Sequence, residues 1–250
     1  MDKNQILLVA NAGVVLVHNQ TRLLIDGIYN DLGQNFTQLP KWAWNTMKAG
    51  KGELGNVDYL LFTHSHYDHY YSPYFFEYME HNTVKGLVLP DLDDTNGLDE
   101  AWKLYGDKHI EIPENTKVEL EEGLFVSRFV VRHVGEQFHH LPVACFIVEM
   151  DGVKSLFISD GDYHIADYEK VAELECDYAF VTSVFFNHKN GRELLWNHIK
   201  AKEIVVYHLP SPEDDKFSYC KMAQRDIKKH TKDNAKATLW NETGQRITWN

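Results

Sequence analysis

The stretch Thr63-His64-Ser65-His66-Tyr67-Asp68-His69 puts three imidazoles and a carboxylate within six residues. Each of those side chains carries polar atoms that need partners, so the cluster is not ordinary packing. Imidazole nitrogen and carboxylate oxygen are donors that zinc and iron accept. An apolar run from Val57 to Phe62, interrupted by Asp58, leads into the motif as a strand would. If that strand ends near Thr63, His64 and His66 lie two residues apart on extended backbone. They then point the same way and can share one metal. Asp68 and His69 follow once the chain turns toward a helix, so they point elsewhere and can hold a second ion beside the first. Two such ions can clamp a hydroxide and polarise a substrate oxygen, so the chemistry expected is water activation.

The motif resembles the T-H-x-H-x-D-H signature of the metallo-β-lactamase superfamily of metal-dependent hydrolases. The resemblance implies an α/β fold, a four-layer αββα sandwich of two mixed β-sheets with helices on the outer faces, formed by residues 1–250 as one domain. It implies two divalent metal ions at one edge of the sheets, usually zinc, with manganese and iron accepting the same donors. Further ligands are then expected downstream. Three histidines compete for the third place. His133 closes the strand Leu124 to Val131, His139 lies nearer the family's usual distance before the bridging aspartate, and His140 adjoins it. The Phe138-His139 pair also resembles one branch of the family.

Asp160 directly follows the strand Ser155 to Ser159 and matches the bridging aspartate, with Ser159 standing where glycine is usual. A carboxylate there can touch both ions with its two oxygens; Asp162 is the alternative. His208, at the end of the strand Glu203 to Tyr207, matches the last ligand. Asp26 matches an aspartate that supports the metal loop by hydrogen bonding, although Asp26-Gly27 is also a plain turn signal. The implied arrangement has His64, His66 and His139 or His133 on one ion and Asp68, His69 and His208 on the other, bridged by Asp160. Asp68 would also orient the water and pass its proton to the leaving group. Many members have glycine soon after the motif, whereas Tyr70 and Tyr71 follow here, which would reshape the pocket mouth.

These side chains need strands to hold them. Ile6 to Ala10, Val14 to Val17 and Arg22 to Ile25 read as strands, with a break at Asn11-Ala12-Gly13. Trp42 to Lys48 and Ser72 to Met79 read as helices, the second rich in aromatics that pack on a sheet. Later strands are expected at Val84 to Leu89, Lys117 to Leu120, Ala144 to Glu149 and Tyr178 to Thr182. Helices are expected at Trp102 to Tyr105, Tyr168 to Glu175, Gly191 to Lys200 and Ser218 to Lys229. Ala235 to Trp249 reads as a closing hairpin around Asn241-Glu242-Thr243-Gly244. Pro90-Asp91-Leu92-Asp93-Asp94 lacks the glycine and closing glutamate of a calcium loop and reads as a solvated acidic connection.

The formal charge of −12 and the lack of a lysine- or arginine-rich block disfavour long nucleic acids as partners. The three cysteines, Cys145, Cys176 and Cys220, form no C-x-x-C pair, so neither a disulfide framework nor a zinc ribbon is expected. The first residues lack a secretory leader, and no apolar run is long enough to span a membrane. A cytoplasmic protein acting on a small molecule is therefore expected. The activity expected is hydrolysis of an ester, lactone, amide or phosphodiester. The alternatives are a nuclease or cyclic-nucleotide phosphodiesterase of the same fold and a non-catalytic metal-binding descendant.

Overall fold

The computed structural model describes residues 4–34, 36–91, 96–169, 171, 174–231 and 236–250. The chain divides into two compact units, Met1–Glu111 with Pro210–Asp214 and Asn241–Asn250, and Ile112–Leu209 with Asp215–Trp240. The first carries β1 Asn4–Ala10, β2 Gly13–His18, β3 Thr21–Ile25, α1 Lys41–Lys48, β4 Tyr59–Leu61, α2 Ser72–His81, β5 Gly86–Val88 and α3 Leu98–Tyr105. The second carries β6 Lys117–Glu121, β7 Leu124–Arg132, β8 Pro142–Met150, β9 Val153–Ser159, α4 Ile165–Tyr168, β10 Tyr178–Thr182, α5 Ser183–Asn187, α6 Lys189–Glu193, β11 Glu203–Tyr207, α7 Tyr219–His230 and β12 Lys236–Leu239. The last strand, β13 Arg246–Trp249, returns to the first unit.

Both sheets are mixed, with orders β13-β1-β2-β3-β4-β5 and β12-β11-β10-β9-β8-β7-β6. In the first, β3, β4 and β5 run parallel, so their carboxyl ends share one edge. In the second, β9 to β12 run parallel. Two antiparallel steps, β7 to β8 and β8 to β9, bring the end of β7 to that same edge. In sheets of this kind the crevice outside the carboxyl ends is where ligands bind.

The first unit's core is dense in aromatics. Phe62 meets Tyr70 and Phe75 edge-on at ring distances of 5.0 and 5.9 Å. Each such buried ring contributes about 1.5–3 kcal/mol. Tyr70 is thus a core residue, and Tyr71 is only half-buried. Trp44 stacks on Tyr74 at 4.6 Å, whereas Trp42 on the same helix is exposed.

Several elements differ from the sequence reading. Residues 236–249 do not pair with themselves: β12 lies parallel to β11, and β13 antiparallel to β1. Each strand extends an existing sheet edge, and the turn between them is tied down by Gly244 N–H donating to Leu8 C=O at 3.0 Å. The helix expected over Gly191 to Lys200 starts at Lys189 and widens to a π-turn over Leu194–His198. The helix expected over Tyr168 to Glu175 is found at Ile165–Tyr168, and residues 170, 172 and 173 lie outside the described residues. Residues 92–94 of the acidic connection and residue 235 also lie outside them. Cys145, Cys176 and Cys220 are buried and form no disulfide with one another. Burial pushes the Cys176 thiol up to about 12 and raises that of Cys145 as well, leaving both unreactive.

Ser159, fully buried at the end of β9, is left-handed with φ 54°. That conformation is why glycine suits the position. Ser159→Gly is expected to hold the melting temperature within about 3 °C. Ser159→Val, whose branched Cβ clashes there, should lower it by roughly 5 °C or more in a thermal melt.

Candidate metal centre

Each unit presents its own set of candidate metal-ligating side chains at the carboxyl ends of its strands. In the first, β4 runs directly into the motif, and His64 and His66 turn their Nε2 and Nδ1 toward one another at 3.2 Å. Past them the chain folds into a single turn, with His69 N–H and Tyr70 N–H both donating to the His66 carbonyl. That turn places His69 Nε2 3.5 Å from Asp68 Oδ2.

Asp26, at the end of β3, holds both ends of this loop. Its Oδ1 accepts Thr63 N–H at 2.8 Å, and its Oδ2 accepts the Thr63 hydroxyl at 2.7 Å and His69 Nδ1–H at 3.0 Å. Asp26 and His69 have no solvent exposure. The Thr63 hydroxyl gives its proton to Asp26, so it accepts from His64 Nδ1–H at 3.0 Å. Both imidazoles are thereby left with a lone pair on Nε2, the state a metal ligand needs.

Two further anchors carry little signal in the sequence. Asn11 Nδ2 donates to the Asp68 carbonyl at 3.1 Å. Asn96 Nδ2 donates to the carbonyls of Ser65, at 3.1 Å, and Tyr70. Asp26, Asn11 and Asn96 all have φ near 50°. Asp and Asn are the non-glycine types that tolerate this backbone. The only signal available was a turn residue next to or near glycine, in Asn11-Ala12-Gly13 and Asn96-Gly97.

In the second unit, His133 Nδ1–H donates to the Val134 carbonyl at 2.6 Å, which directs Nε2 at Asp160 Oδ2, 3.4 Å away. His208 Nε2 lies 3.5 Å from the other oxygen, Oδ1. Asp160 thus sits between two histidines, one on each oxygen. Its strand end is held to that of β7 by a bridge between His133 and Gly161. A Cβ on Gly161 would come within 2.8 Å of Val131, so only glycine permits that approach. His208, like Ser159, is left-handed, with φ 56°.

The other named residues sit elsewhere. Asp162 is bound to Arg132 Nε at 2.6 Å and to Tyr163 N–H at 2.8 Å. His139 lies 3.6 Å from the same Asp162 and not with Asp160 and His133. His140 is exposed. His164 is exposed beside Asp167, and His188 stacks on Tyr163.

The donor set fits metal. Two donors about 2.1 Å from a tetrahedral ion stand roughly 3.4 Å apart. The four pairs above are separated by 3.2, 3.5, 3.4 and 3.5 Å.

The family model for the beta-lactamase superfamily domain matches residues 21–209, well over half of the chain. The chain belongs to the β-lactamase superfamily. Its class is therefore that of the metal-dependent hydrolases with the metallo-β-lactamase fold. Solved structures carry the same fold at low identity. A metallo hydrolase from the archaeon Ignicoccus hospitalis aligns with TM-score 0.65 and 15% identity, covering 100% of this chain and 99% of that one. An isothiocyanate hydrolase from Delia radicum gut bacteria aligns with TM-score 0.65 and 13% identity over 98% and 99%. CmlA, a diiron β-hydroxylase from Streptomyces venezuelae, aligns with TM-score 0.60 and 15% identity over 100% of this chain and 54% of its own. No curated protein matches this superfamily member. Among its described residues no helix is long and apolar enough to cross a membrane.

Proposed function

We propose that this superfamily member uses two divalent cations to hydrolyse an ester, lactone, amide or phosphodiester bond in a small molecule. One cation is assigned to His64, His66 and His133, the other to Asp68, His69 and His208, with Asp160 shared. The observation that carries this is the recurrence of ligand-edge spacing in four donor pairs, with the opposite nitrogen of His64, His69 and His133 already committed to a hydrogen bond. The family match runs unbroken through both units, which supports reading the chain as one catalytic domain.

When bound, the cations supply Lewis acidity and lower the pKa of water to about 7. The protein's own groups do the rest. Asp68 keeps 14% side-chain exposure, so water and substrate can reach its carboxylate. It orients the attacking water, takes up its proton on Oδ and returns it to the leaving group. The Asp26–Thr63–His64 and Asp26–His69 bonds hold the imidazoles still, so little reorganisation is needed when charge develops.

The third histidine is His133 in this proposal. A cation bound by His139 and Asp162 would sit against the Arg132 guanidinium, which already occupies Asp162 Oδ2. His133→Ala is therefore expected to lower metal content by about one equivalent per chain by elemental analysis. His139→Ala should leave it unchanged; the reverse result would transfer the role to His139.

Zinc is the metal proposed, since donors about 3.4 Å apart suit a tetrahedral ion better than an octahedral one, whose neighbouring donors stand roughly 3.0 Å apart. A small-molecule substrate suits a chain of formal charge −12 better than a long polyanion does. Buried cysteines with no disulfide between them suit a reducing compartment, and a cytoplasmic location belongs to the same proposal. The deciding experiment is a screen of the zinc-loaded protein across lactone, ester, amide, cyclic-nucleotide and RNA substrates, with His66→Ala as control. Hydrolysis of RNA in preference to the small esters would replace this reading with the nuclease one. Activity that His66→Ala retains in full would end it.

A further inference from the structure

Asn11 closes the turn between β1 and β2 and is only 3% exposed. Its Nδ2 reaches 57 residues along the chain to the main-chain oxygen of Asp68. Its Oδ1 is buried and finds no hydrogen-bond partner among the described residues. An acceptor taken out of water and left so works against folding. The backbone at Asn11 is left-handed, φ 50°, which glycine adopts without strain. The turn is also locked in place: a Cβ on Gly13 would lie 2.9 Å from Gly27 Cα and 3.2 Å from the Asp26 carbonyl. The turn carrying Asn11 is thus packed on the turn carrying Asp26.

For folding alone, glycine would serve this turn as well or better. It removes both the strain and the stranded acceptor. What the asparagine adds is one bond, to the peptide that presents the Asp68 carboxylate. The other two anchors hold the loop elsewhere, Asp26 at Thr63 and His69 and Asn96 at Ser65 and Tyr70. Asn11 holds the Asp68 main chain itself.

We propose that Asn11 is a positioning residue for Asp68, its amide setting the orientation in which that carboxylate meets its cation. The inference rests on the metal assignment above. It predicts a separation between stability and metal affinity that a merely structural asparagine would not give.

The test is competition of zinc-loaded protein against a chromogenic chelator, with a thermal melt of the same proteins stripped of metal. Wild type should release two ions in two steps. Asn11→Gly should release the more weakly held ion with at least ~10-fold lower affinity, keep the other unchanged, and melt metal-free within about 3 °C of wild type or above it. Asn11→Asp keeps size and backbone preference but sets an oxygen against the Asp68 carbonyl, so its loss should equal or exceed that of Asn11→Gly. Unchanged affinity for both ions in both variants overturns the inference. So does equal weakening of both ions, or a loss of affinity matched by a comparable fall in the metal-free melt. A wild-type protein that binds no metal overturns the metal assignment itself, and is distinguished from these results by the wild-type titration alone.

Discussion

Asp160→Ala is expected to leave the chain folded while cutting bound metal from about two equivalents to less than one. Activity should fall by on the order of 10³-fold or more, since water not held by cations stays far less acidic and supplies little hydroxide. The reason is positional. Asp160 is the one carboxylate in the second unit's set, and its two oxygens face His133 and His208 separately, at 3.4 and 3.5 Å. In the proposed assignment, removing any histidine would take one donor from one ion, whereas removing Asp160 would take a donor and its negative charge from both. The side chain is itself 16% exposed and follows β9 without belonging to it, so the fold should survive. Elemental analysis after purification without chelators, together with circular dichroism, checks both halves. Two full equivalents retained in Asp160→Ala would mean that the ions, if present, are held elsewhere.

Asp26 should behave in the opposite manner, because its carboxylate serves folding and the metal loop together. Asp26→Ala leaves three buried donors facing nothing: Thr63 N–H, the Thr63 hydroxyl and His69 Nδ1–H. It also puts alanine where φ is 50°. The expected loss is about 3–5 kcal/mol, a fall in melting temperature of roughly 10 °C or more for a chain this size. Asp26→Asn is the more informative change, since asparagine accepts the backbone conformation. Either orientation of its amide sets the NH₂ against a donor, Thr63 N–H in one case and His69 Nδ1–H in the other. In the second case His69 must carry its proton on Nε2, the nitrogen assigned to metal. Asp26→Asn should therefore stay folded and lose metal affinity by about 10–100-fold. Calorimetry and chelator competition on the two variants read these effects separately. Wild-type affinity in Asp26→Asn would show that the tautomer of His69 does not matter.

How much of this could be read from sequence follows from the range over which each feature is determined. The strand before His64, the turn after His66 and the helix after Tyr71 are set by residues within a few positions, and they emerge as Tyr59–Leu61, the 66–70 turn and Ser72–His81. Asp160 and His208 were legible for the same reason: each directly follows a strand whose apolar pattern is plain. The choice between His133 and His139 was not legible. Both lie in one short segment, and only the pairing of β7 with β8, together with the contact between His133 and Gly161, shows which stands beside Asp160. The pairing of residues 236–249 failed similarly. Two strands flanking an Asn/Gly turn suggest a hairpin locally, but each found a better partner in an existing sheet edge.

By itself, then, the sequence picked out the candidate donors, their order along the chain and the family they point to, because residue type and backbone periodicity are local properties. The tertiary structure alone decided which histidine stands beside Asp160, and that Asn11 and Asn96 pin the loop from 57 and 31 residues away. Those bonds depend on where sheet register brings distant turns together. No spacing rule within a single stretch of chain encodes that.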